Sequence, residues 1–203
     1  MASVVISGDT SGAVTITAPA VAGTPTLTLP TATDTLIGRA TTDTLTNKSI
    51  VASQLTGTIA GARMPAGSVL QVVNATYSTE SDFNSTSFAD TNLTATITPT
   101  SATSKILILV TQADCAKFDS NNFVKLKLVR NSTDILTFGA TGAATNSTAL
   151  NAIGSISASY LDSPATTSAT TYKTQVASQS ASVGIRLQYN NSSSTITLME
   201  IAA

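Results

Sequence analysis

Apolar residues in this chain recur at every second position, and threonine fills the gaps between them. Val14, Ile16 and Ala18 alternate with Thr15 and Thr17, Leu27 and Leu29 with Thr26 and Thr28, and Leu93, Ala95 and Ile97 with Thr94 and Thr96. A period of two puts one set of side chains on each face of an extended strand, whereas a helix needs a period near 3.6 to gather an apolar stripe. Thr is itself β-branched and suits a pleated surface better than a helix. The chain is therefore expected to be all-β, with almost no helix.

Composition narrows the possibilities further. Charged residues make up 10% of the chain, against about 25% in an ordinary globular protein, and Ser and Thr, roughly a third of the sequence, supply the polarity instead. A β-rich surface with so few charges pairs readily at free strand edges, so those edges are either covered or used for association. The formal net charge is −1 and no basic cluster occurs, which argues against a nucleic-acid partner. The opening residues Met1 to Ile6 lack the basic and continuous apolar regions of a signal peptide. No apolar run reaches membrane-spanning length, so no membrane insertion is expected.

The chain contains no His and one cysteine, Cys115. A Ser-His-Asp or Cys-His constellation and a His-based zinc site are thereby excluded, and a single thiol cannot build a thiolate metal site. Cys115 is expected to be a small packing residue. Phosphate-binding glycine motifs are missing. Paired carboxylates are the enzymatic route that remains, and the candidates are Glu80 with Asp82, Asp114 with Asp119, and Asp90. All fall in or beside expected loops, where a solvated or turn-capping carboxylate is the simpler account. Asp114, Asp119, Asn121 and Asn122 offer oxygen ligands to a calcium ion, but their spacing does not match an EF-hand loop. Tyr77, Phe83, Phe118 and Tyr160 are candidates to stack on a sugar face, or else belong to the core or a subunit interface. The chain is thus expected to be no enzyme, with no residue assigned a catalytic, cofactor-binding or metal-binding role and no cofactor.

The sequence changes character near Gly67. Residues 1–49 form a first region in which a hairpin is expected: Val4 to Ile6, a turn at Gly8 to Gly12, then Val14 to Ala18. A short strand at Leu27 and Leu29 lies between Pro25 and Pro30, and Thr33 to Leu36 is echoed by Thr42 to Leu45. Residues 50–66 read as a connector whose Leu55, Ile59 and Met64 could line an axis. The first 66 residues have sparse Leu, Ile and Val and no aromatic residue. Ordering them costs roughly 1–2 kcal/mol per residue, and one copy buries too little apolar surface to offset that. The region is either disordered or obtains its core from identical chains, and the regular alternation favours a trimer.

Residues 67–203 carry longer strands. They are expected at Val69 to Tyr77, Leu93 to Ile97, Lys105 to Val110, Phe123 to Arg130, Ile135 to Phe138, Ile153 to Leu161, Tyr172 to Ser178, Val183 to Tyr189 and Thr195 to Ile201. A polar loop is expected at Glu80 to Ser87 and a long one at Gly139 to Asn151. The near-continuous run KILILV at Lys105 to Val110 predicts a strand buried on both faces. In Phe123 to Arg130, Val124, Leu126 and Leu128 should share one face. Eight or more short strands between turn signals indicate a β-sandwich head, with a jelly roll favoured.

Several segments resemble those of phage tail fibre proteins, of the type found in marine and freshwater phages. They are Gly8 to Gly12, Thr15 to Pro19, Thr26 to Pro30, Thr42 to Lys48, Gln54 through Ile59 to Pro65, Gly67 to Val73 and the ending Ser194 to Ile201. The resemblance covers most of the chain, with the segments in the same order. It implies a trimeric structural protein of the virion with an exposed C-terminal head. The expected partners are its own copies, other virion proteins of tail, baseplate or capsid, and a host cell-surface glycan. The chain is short for a tail fibre, which keeps a capsid decoration, cement or head-fibre protein as an alternative, beside a lectin-like glycan-binding protein.

Overall fold

The computed structural model describes residues 3–7, 10–17 and 61–203, the last without 143 and 147, together with the single positions 21, 23, 24, 26, 49 and 59. The chain forms two compact units, Met1–Thr56 and Gly57–Ala203. The expected strand at Leu27 and Leu29, the Thr33 and Thr42 repeat and most of the connector lie outside the described residues.

In the first unit, β1 (Ser3–Ser7) and β2 (Ala13–Thr17) pair antiparallel, with Val4 opposite Ile16 and Ile6 opposite Val14. This is the expected hairpin. Gly12, at φ +78°, supplies the left-handed backbone just before β2. Val4, Val5, Ile6 and Ile16 are all between 50% and 63% exposed.

The second unit is a β-sandwich of ten strands. They are β3 (Val69–Tyr77), β4 (Ser81–Phe83), β5 (Ala89–Ile97), β6 (Lys105–Lys117), β7 (Val124–Arg130), β8 (Thr133–Gly142), β9 (Asn151–Asp162), β10 (Thr170–Ser178), β11 (Ile185–Leu187) and β12 (Ser194–Ile201). One sheet runs β5-β10-β7-β8. The other runs β3-β12-β6-β9, with the short β4 and β11 continuing the lines of β3 and β12. All the pairings are antiparallel. If β4 and β11 are set aside, the first strand pairs with the eighth, the second with the seventh, the third with the sixth and the fourth with the fifth. That nested order is the jelly roll.

Alternation decides which side chains enter the sandwich. Leu93, Ala95 and Ile97 of β5, Ile106, Ile108 and Val110 of β6, Leu128, Tyr172, Ile196 and Leu198 form one buried cluster drawn from both sheets. Cys115, Val124, Leu126, Val176, Ile185 and Leu187 form a second. Thr91 and Thr174 of one sheet, Gln112 and Ser194 of the other, and Gln188 just after β11 are also buried. Here Thr91 bonds Thr174, whose Oγ1 donates to Gln112 Oε1 at 3.2 Å, while Gln112 Nε2 donates to Ser194 Oγ at 2.9 Å. Ser194 Oγ also accepts from Ala113 N at 2.8 Å and Gln188 Nε2 at 2.7 Å. The bond from Thr174 to Gln112 crosses between the sheets, and the neighbouring bonds anchor its two ends within their own layers.

Several expectations are corrected. The polar loop after Tyr77 contains β4, because Ser81 to Phe83 pairs with β11. The strand expected from Val183 to Tyr189 shrinks to Ile185–Leu187, and Tyr189 opens a short 3-10 turn. Gln188, Asn190 and Asn191 take positive φ there, which breaks the extended run. β6 continues to Lys117, well past Val110, and carries Asp114 within it. The loop expected at Gly139 to Asn151 is shorter, since β8 runs to Gly142 and β9 begins at Asn151. The KILILV strand is buried on one face only: Ile106, Ile108 and Val110 point inward, while Leu109 is exposed.

Candidate functional site

The order of the strands sorts the connections into two ends. At one end the segment leading into β3 meets the C-terminus, with Gly67 N donating to Ala202 O at 2.8 Å and Ala202 N to Ser68 O at 2.9 Å. A cavity of 390 Å³ lies here, lined by Gly61, Met64, Leu70, Thr100, Ser104 and Ala202 among others. The other, distal end carries the connections 78–88, 118–123, 143–150 and 179–193. Exposed connections held by a rigid sandwich are where recognition residues concentrate.

At the distal end, cross-strand pairing sets Arg186 of β11 opposite Asp82 of β4. Arg186 Nε donates to Asp82 Oδ1 at 2.6 Å and Nη2 to Oδ2 at 2.8 Å, a bidentate fork. Its Nη1 lies 2.8 Å from Glu80 Oε1, and Glu80 Oε2 accepts from Asn190 N at 3.0 Å. The guanidinium sits 5.3 Å from the Phe118 ring centre and 6.0 Å from that of Tyr189. Phe118 lies against the backbone at Gly184, where an added Cβ would come within 3.2 Å of the ring. The hydrogen bond from Arg186 holds the Asp82 carboxyl below its ordinary value and, reciprocally, raises the guanidinium.

Glu80 and Asp82 are therefore brought together, but around one cation that pairs with both. A general acid needs a raised pKa, and Asp82 shifts the other way. Asp114 lies in β6 at φ +34° and accepts from Ser192 Oγ. Asp119 Oδ1 caps its own turn, accepting from Ser120 N at 2.5 Å and Ser120 Oγ at 3.0 Å. Asp90 lies on β5 and bonds Lys173 at 2.8 Å and Gln175 at 2.7 Å.

Of the residues named for calcium, Asn122 is engaged elsewhere. Asn122 is buried, its Nδ2 donating to Val183 O and Gly184 O at 2.8 Å each. Its Oδ1 accepts from Phe123 N at 3.0 Å, Ser178 Oγ at 2.8 Å and Ser180 N at 3.2 Å. This residue fastens two distal connections to the end of β10. Among the described residues, no three His, Cys, Asp or Glu side chains are grouped to hold a metal.

Of the four aromatic candidates, Tyr77 and Tyr160 pack on the first core cluster and Phe83 on the second. Phe118 alone joins the guanidinium. The residues that sequence reasoning missed are Arg186 and Tyr189. A signal existed, since Arg186 is the one charged residue between Lys173 and Glu200.

No family model matches the chain, and no curated protein does. Among solved structures it is similar to one of infectious bursal disease virus, Gt strain, at 12% identity and a TM-score of 0.31, over 73% of this chain and 43% of that chain. A mutant VP2 protein of the same virus, in derived T=1 particles, matches at 10% identity and a TM-score of 0.33, over 73% and 41%. The chain thus spans about two fifths of the length of these structures. The jelly-roll assignment rests on the strand order above and not on these likenesses.

Proposed function

We propose that this chain is a non-enzymatic structural protein of a phage virion, a short homotrimeric tail fibre. Its N-terminal region docks to other virion proteins, and its jelly-roll head holds the distal connections toward the host surface. The observation that carries this reading is the β1–β2 hairpin, whose Val4, Ile6 and Ile16 share one largely exposed apolar face. An isolated two-stranded hairpin is marginal in water, and three copies of such a face supply one another with a core. The ordered resemblance to fibre segments supports the same reading.

Light scattering of the full chain tests it. A mass of three chains is expected, and a compact monomer at low concentration would overturn it. Electron microscopy of virions labelled at the head separates a tail fibre from a capsid decoration or head-fibre protein.

A glycan-binding role for the head is a second reading, favoured by one feature. Arg186 stands beside two aromatic rings and two carboxylates at the distal end of the head, the combination of flat apolar faces and hydrogen-bonding groups that sugars engage. A glycan array probed with the full chain tests it. Binding that survives Arg186→Ala and Tyr189→Ala would remove this site from the account.

A further inference from the structure

We infer that the outward face of the β3-β12-β6-β9 sheet is the surface by which three copies of the head pack around a common axis. This rests on the trimer reading above and assigns it a face. The register sets Val72 opposite Met199, Met199 opposite Leu107, and Leu107 opposite Leu161. Four apolar side chains therefore cross the whole sheet in one unbroken ladder, on the side away from the core. Leu109 and Ile201 adjoin it on the neighbouring rungs. Val72 is 56% exposed, Leu161 49% and Leu109 40%. Lone exposed apolar residues need no explanation, but a contiguous patch marks an interaction surface.

Three observations favour a second and third copy as what covers it. First, the patch carries no charge except Lys105 at its margin, opposite Ile201, so identical faces meet without like-charge repulsion. The outward face of the other sheet is built differently, with the ion pairs Lys173–Asp90 and Lys127–Asp134 at 2.8 Å each. Second, Lys105 to Val110 has the continuous apolar pattern of a strand covered on both sides, and the head by itself covers one. Third, the patch is confined to the half of the sheet where β3 begins and β12 ends. Toward the distal end the same face turns polar, with Thr76, Thr195, Thr111 and Ser157 in register. With the strands along the three-fold axis, three ladders close into an apolar ring at the end of the head where β3 begins, and the distal ends stay solvated.

Cysteine crosslinking in the full chain tests this, because the native Cys115 is buried and silent. Met199→Cys places a thiol in the ladder, and Thr94→Cys places one on the outward face of the other sheet. Both are treated with a short bismaleimide at low protein concentration, with light scattering of the same samples and unchanged protection of Cys115 as the check on folding. The expected result is a trimer in which Met199→Cys gives covalent dimers on denaturing gels and Thr94→Cys stays monomeric. A trimer in which Met199→Cys crosslinks no better than Thr94→Cys overturns the assigned face and leaves the fibre reading intact. A monomeric chain overturns both.

Discussion

Arg130 Nη1 donates to both carboxylate oxygens of Asp162 at 2.9 Å, joining the end of β7 in one sheet to the end of β9 in the other. The Tyr172 hydroxyl donates to the same carboxylate at 2.7 Å from β10. Asp162 and Tyr172 are buried and Arg130 is partly so. A buried carboxylate adds stability only while its partners are present, so the three should act as a unit. Asp162→Ala is expected to destabilise the head by about 2–4 kcal/mol and Tyr172→Phe by about 1 kcal/mol. Urea unfolding of the single and double variants checks this, and strictly additive losses would mean that the three do not cooperate.

Glu200 should give the head an acid-sensitive component. It is buried, its Oε1 accepting from Thr100 N at 2.7 Å and Thr100 Oγ1 at 2.8 Å, and its Oε2 from Gln71 Nε2 at 2.6 Å. Burial pushes the carboxyl up, but these hydrogen bonds outweigh it and hold the group below its ordinary value. A depressed folded pKa contributes stability that is present above the unfolded value, about 4.3, and is lost as pH falls through the folded value beneath it. Glu200→Gln should therefore cost about 1–3 kcal/mol at neutral pH, with the gap to the unaltered chain shrinking on acidification. A gap independent of pH would show that Glu200 is not the titrating group.

Cys115 should be chemically inert in the folded head. Burial pushes its thiol up to about 12, and the nucleophile in disulfide exchange is the thiolate. An aromatic disulfide reagent near pH 8 is expected to modify none of it until denaturant is added. Reaction at the rate of a free thiol under native conditions would contradict the burial.

Arg186→Ala should loosen the distal connections without unfolding the sandwich. Arg186 and its partners are partly exposed, and exposed ion pairs contribute up to about 1 kcal/mol. Removing the cation leaves Glu80 and Asp82 close together without a counter-charge. Amide exchange is expected to rise across residues 78–88 and 179–193, with thermal unfolding shifted by only a few degrees, roughly 2–4 °C per kcal/mol for a domain of this size. Unchanged exchange there would mean that the guanidinium does not organise these segments.

Much of the fold was legible because strand alternation is a local property. Val124, Leu126 and Leu128 enter the core together, as their spacing required, and β3, β10 and β12 fall within two residues of their expected limits. The distal site was less legible. Glu80 and Asp82 stand out as neighbouring carboxylates, but the residue that decides their chemistry is more than a hundred positions away. Arg186 finds Asp82 because β4 and β11 pair; the alternation of Val183 to Tyr189 announces β11, but β4 is too short to announce itself.

The sequence by itself determined the β architecture, the inward set of side chains and the poverty of apolar surface in the N-terminal region, since each depends only on residue type and spacing. Tertiary structure decided the rest: the nested strand order, the partners of Asp162 and Arg186, and the bare outer face of β6. Pairing register joins residues far apart in the chain, and whether an apolar face is covered depends on what else folds against it.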